Sequence, residues 1–140
     1  MKTFKKAVLS LFSLSIFAIS LYAFSAQAAS YSFNIHTQVT GSTTHSFNNA
    51  STRTTVTAGS YLQSTGTTPT SSPLNYRVRL ENTRWVGGTS YNTSSITANN
   101  RSYTRSFGTI DSGNYRINVA LVKGTTSFVG YAIGSGSISQ

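Results

Sequence analysis

The chain has 140 residues, with eleven Lys and Arg against two acidic side chains and no cysteine, for a formal charge of +9. The missing cysteine excludes disulfides, a thiolate nucleophile and any cysteine-ligated metal. Two carboxylates leave a glycosidase, which needs a pair of them flanking one bond, no spare acid to work with, whereas the positive excess favours polyanionic partners.

Lys2, Lys5 and Lys6 precede a largely apolar run from Ala7 to Phe24, and the small-residue pattern Ala26-Gln27-Ala28 follows. This order predicts a secretory signal peptide over residues 1–28, cleaved near Ala28. The run approaches the roughly 18 to 20 residues that cross a bilayer, but Ser10, Ser13, Ser15 and Ser20 interrupt it, so cleavage is preferred over an uncleaved anchor. Residues 29–140 then form one domain of 112 residues carrying eight basic side chains against Glu81 and Asp111, a formal charge of +6. A chain of that size buries about two-thirds of its unfolded surface without staples. The product is expected to be secreted and, through its charge, cell-wall associated. An exported domain without disulfides points to a bacterial source.

The mature sequence is rich in Ser, Thr, Asn, Gly and Tyr and has no helical periodicity, so strands are predicted throughout. In "SYSFNIHTQVTG" Tyr31, Phe33, Ile35, Thr37 and Val39 alternate with polar residues, which predicts one strand with a single buried face. "RTTVTA" is a second strand candidate and "NYRVRLEN" a third, with Tyr76, Val78 and Leu80 inward and Arg77, Arg79 and Glu81 outward. "SYTRSFGTI" is a fourth, and "NYRINVALVK" places Tyr115, Ile117, Val119 and Leu121 on one side. "SFVGYAIG" closes the set with Val129, Tyr131 and Ile133 inward. Asn48-Asn49, Gly87-Gly88, Asn99-Asn100, Asp111 to Asn114 and Lys123-Gly124 supply turns between them, while Pro69 and Pro73 mark a loop. About six to eight short strands at this spacing predict an all-β fold, a single antiparallel β-sandwich of jelly-roll or immunoglobulin-like type.

Few residues could carry chemistry. Glu81 follows two arginines on the outward side of its strand, where an ion pair is the ordinary role, and Asp111 opens a Ser-Gly turn, where capping is. His36 and His45 are nine residues apart, a spacing that matches no usual zinc pattern. The glycines form neither a dinucleotide fingerprint nor a phosphate loop, and no serine sits in a nucleophile elbow. The expectation is a protein without catalytic residues, metal or cofactor. Arginines, by contrast, cluster: Arg77 and Arg79 should project together, and Arg116, in the second Asn-Tyr-Arg triplet, should project from the corresponding position of its own strand. Arg84, Trp85 and Tyr91 follow near Gly87-Gly88. Arginines for charge and an aromatic for stacking make a polyanion- or glycan-binding set.

The segment "FGTIDSGNYRINVALV", through Gly113, Tyr115, Ile117 and Val119, resembles the late strands of bacterial pre-peptidase C-terminal domains and similar secreted β-sandwich accessory modules. The resemblance spans 16 residues, Phe107 to Val122. It implies a sandwich or jelly-roll shape and a binding role, and it transfers no functional residue.

The function expected from these readings is non-catalytic binding of anionic cell-envelope or matrix polymers and glycans, with an anionic membrane surface as a further partner. No specific nucleic-acid motif is present. A membrane-active cationic bacteriocin or toxin, whose strands would alternate in the same way, is the first alternative. An extracellular structural subunit or a hydrolase inhibitor is the second.

Overall fold

A computed structural model describes residues 27–62, 65, 68–70, 72–84, 86–122 and 130–140. The predicted signal segment lies outside them up to residue 26, as do Trp85, Lys123 and Val129. Every regular element among the described residues is a strand. In chain order they are β1 (Ala28–Ile35), β2 (Gln38–Thr40), β3 (His45–Phe47), β4 (Ala50–Leu62), β5 (Asn75–Asn82), β6 (Ser90–Asn92), β7 (Ile96–Thr97), β8 (Asn99–Ile110), β9 (Gly113–Leu121) and β10 (Gly130–Ser139). All pairings are antiparallel, in two sheets. One runs β1-β10-β4-β8 and the other β2-β9-β5-β6, with β3 beside β9 and β7 beside β5. Since β2 and β3 share one partner and β6 and β7 share another, the ten strands occupy eight positions.

The alternation of each strand puts one face of each sheet into a common core, the arrangement of a β-sandwich. Phe33 and Ile35 from β1, Val56 from β4 and Ile138 from β10 meet Tyr76, Val78 and Leu80 from β5 and Tyr115 and Val119 from β9. The Phe33 and Tyr76 rings bridge the sheets at 5.3 Å.

Two strand readings are corrected. The alternation from Tyr31 to Val39 is not one strand: β1 ends at Ile35 and β2, from Gln38, belongs to the other sheet. His36 and Thr37 form the corner, and Val39, although its register partner is the core residue Val119, stays exposed on the short β2. In β10 the inward set is Gly130, Ala132, Gly134, Gly136 and Ile138, so Tyr131 and Ile133 face outward. The reason is steric. β10 runs between β1 and β4: the Tyr31 ring lies against its register partner Gly136, and the β4 backbone at Thr57 and Ala58 crowds Gly134, so neither position has room for a side chain. The Tyr31 hydroxyl and the Thr54 Oγ1 then share a hydrogen bond of 2.7 Å, and Thr54 donates to the Ser137 carbonyl at 3.0 Å.

The core contains phenols with no route to water. Tyr76 is fully buried and its hydroxyl has no hydrogen-bond partner among the described residues. An unpaired buried hydroxyl costs about 1–3 kcal/mol, so Tyr76→Phe, which keeps the ring, should raise stability by about 1 kcal/mol in urea unfolding. A loss of stability would show that the hydroxyl is satisfied after all.

Burial, partly offset by the hydrogen bond with Thr54, pushes Tyr31 up to about 12, and burial followed by the neighbouring Tyr31 raises Tyr76 further. Unfolded tyrosine ionises near pH 10. Above that pH the unfolded chain loses protons that the fold retains, so the stabilisation is complete below pH 10 and declines through pH 12. The slope approaches about 1.4 kcal/mol per pH unit for each such tyrosine. Melting temperatures between pH 9 and 12 should therefore fall, and fall less steeply in Tyr31→Phe.

Candidate functional site

Outward positions differ sharply between the two sheets. On the first sheet the cross-strand rows Ser30-Ser137-Thr55-Thr104 and Ser32-Ser135-Thr57-Ser102 form a hydroxyl surface, with Arg53 in the next row. On the second, register stacks amides and guanidinium groups. Arg77 stands opposite Ala120, which stands opposite Gln38; Arg79 stands opposite Asn118 and Asn92, and Asn118 opposite Thr40.

Ala120 explains the shape. Long side chains surround a single methyl group on the central strand, and the result is a depression of about 300 Å³ whose walls include Gln38, Arg77, Arg79, Asn92 and Asn118. Ala120 supplies an apolar floor, and Leu121 and Val122 add apolar lining. The volume is at the small end for ligand clefts, which run from about 300 to 1,000 Å³.

The two arginines are in different states. Arg79 Nε donates to Asn92 Oδ1 at 2.8 Å, and its Nη1 is 3.7 Å from Glu81 Oε1. This guanidinium is held in place with donors to spare. Arg77 is exposed and has no hydrogen-bond or ion-pair partner among the described residues. Their Cα atoms, two residues apart on a strand, are about 7 Å from each other. Asn118 outlines the inner wall: although it points outward it is only 4 % exposed, and its Nδ2 donates to Thr40 Oγ1 at 2.7 Å. An amide has both a donor and an acceptor end, and the Thr40 bond engages the donor end.

The sequence set is divided by the fold. Arg77 and Arg79 come together as expected. Arg116 shares their face, but antiparallel pairing puts it opposite Glu81, four positions and about 13 Å along the ladder from Arg77. The two Asn-Tyr-Arg triplets thus lie at opposite ends of adjacent strands. Arg84 is exposed beyond the end of β5, its backbone N–H bonded to Asn82 Oδ1 at 2.9 Å. Tyr91 turns inward, because its register partner is the core residue Leu80. Its ring stands edge-on to Tyr115 at 6.1 Å, and its hydroxyl donates to Asp111 Oδ2 at 2.9 Å and accepts from the Asp111 N–H at 3.1 Å. It pins the β8–β9 turn rather than offering a stacking surface. Trp85 lies outside the described residues.

Gln38, Asn92, Asn118 and Ala120 escaped sequence reading. Asn118 left a faint signal, since asparagine is unfavourable in a strand and stands here inside an otherwise apolar alternation. The two histidines sit apart from the depression: His36 Nδ1 is 3.2 Å from the Gly130 carbonyl, and the half-buried His45 packs near Phe47.

The chain matches no known family model, and no curated protein matches it. The resemblance of Phe107 to Val122 to the pre-peptidase C-terminal modules is confined to that local pattern. Structurally the segment is a turn closed by Tyr115, whose hydroxyl donates to the Asp111 carbonyl at 2.8 Å, in the manner of a tyrosine corner.

Proposed function

We propose that this is an exported, non-catalytic binding protein that holds anionic cell-wall or matrix polymers on the outer face of the β5–β9 sheet. The observation that carries the reading is the Arg77 guanidinium, unpaired among the described residues, beside the fixed Arg79 on a wall of amides. Both carboxylates already have structural roles, Glu81 beside Arg79 and Asp111 beneath Tyr91, which favours binding over bond cleavage. The proposed architecture is a jelly roll. Its support is the strand order: when split strands count once, the first sheet takes positions 1, 8, 3 and 6, and the second takes 2, 7, 4 and 5. Jelly rolls include lectin domains, an analogy of fold alone. Export is supported by the leader pattern, and the inward residues of β1 begin at Ala29, so cleavage after Ala28 removes none of them.

Retention on isolated cell walls tests the reading. Three arginines on one face should give a binding constant that falls with salt, with a logarithmic slope on the order of −2 to −3 if each contact behaves as on other polyelectrolytes. Binding that ignores salt would remove the proposal.

A further inference from the structure

We infer that the depression around Ala120 takes a uronate-type pyranose, a sugar ring bearing a carboxylate, from an acidic polysaccharide. This rests on the proposed polyanion-binding role and goes on to name the ligand class.

The chemistry of the walls and floor makes the choice. Charge complementarity alone would accept any polyanion, since Arg77 is exposed and unpaired among the described residues and Arg79 is held beside it by Asn92 and Glu81. The floor is more selective. Ala120 presents apolar surface between the long side chains, with Leu121 and Val122 adding to the lining, and a pyranose can cover it with the C–H face of its ring while a phosphate backbone cannot. Around that floor stand three amides, Gln38, Asn92 and Asn118, each pairing a donor with an acceptor, as sugar hydroxyls require. Planar guanidinium groups match carboxylates with two parallel hydrogen bonds. A ring on Ala120, hydroxyls toward Gln38 and Asn118, and the carboxylate on Arg77 satisfy every feature at once.

The full secreted domain should be titrated with three probes at one ionic strength: polygalacturonate, its methyl ester, and linear polyphosphate. The ester keeps the ring and loses the charge, while polyphosphate keeps the charge and has no ring. Polygalacturonate is expected to bind about tenfold more tightly than either. Ala120→Leu, which fills the depression from an outward position, should bring polygalacturonate down to the level of polyphosphate and leave polyphosphate binding intact, with a cooperative urea transition showing that the variant folds. Gln38→Ala should act in the same direction, by a smaller factor. Polyphosphate binding as tightly as polygalacturonate, or an Ala120→Leu variant with unchanged preference, overturns this inference and leaves the wider reading standing. Failure of every anionic probe overturns both.

Discussion

Replacing Gly134 with valine should destabilise the fold by about 3 kcal/mol or more, the upper range for overpacking a core. Gly134 faces inward from β10, paired with Phe33 on one side and Ala58 on the other. A Cβ there would collide with the Thr57 carbonyl and come within 2.8 Å of Ala58 Cα. These are backbone atoms of β4, and they cannot withdraw without opening the ladder. Gly136 has the same role one step along, where a Cβ would come 2.8 Å from the Thr55 carbonyl and 2.7 Å from the Tyr31 hydroxyl. Ser135, between them, is exposed on the other face. Ser135→Val should therefore shift the urea midpoint little, within about 0.5 kcal/mol. Equal midpoints for the two valine variants would contradict the assignment of faces in β10.

Changing Arg77 and Arg79 together to serine should weaken retention on an anionic polymer about 30-fold at low salt. An arginine close to an anionic surface contributes about 1 kcal/mol, and about 2 kcal/mol corresponds to that factor. Folding should be nearly unaffected. Arg77 has no partner to lose among the described residues, and the Arg79–Glu81 pair is solvent-exposed at 3.7 Å, a class worth little to stability. The informative control removes equal charge elsewhere, at Arg53 and Arg101, which lie on β4 and β8 of the other sheet. If polymer binding depends on this site, the control should lose much less than the Arg77/Arg79 pair. Equal losses would mean that net charge alone attracts the polymer and that no place on the surface is special.

The strand character of the chain was legible because side-chain alternation is a local property. Tyr76, Val78 and Leu80 had to share a face whatever they met, and so did Tyr115, Ile117 and Val119. The projection of Arg77 and Arg79 into solvent followed from the same rule. Where local and long-range demands differ, the alternation misleads: β10 carries Tyr131 and Ile133 outward because the β4 backbone and the Tyr31 ring occupy its inward space, and no feature of "SFVGYAIG" announces which strands will flank it.

By itself, then, the sequence determined an all-β chain with a basic surface, no cysteine chemistry and two adjacent outward arginines, since each follows from composition or from a period of two. Tertiary structure alone decided which residues stand beside those arginines. Asn118 is 39 positions from Arg79 in sequence yet directly opposite it in the sheet; the same pairing sent Arg116 to Glu81, and the pairing of β6 with β5 turned Tyr91 toward the core. Register between distant strands is fixed by how two whole sheets bury their apolar faces against each other, and that is a property of the folded assembly rather than of any one segment.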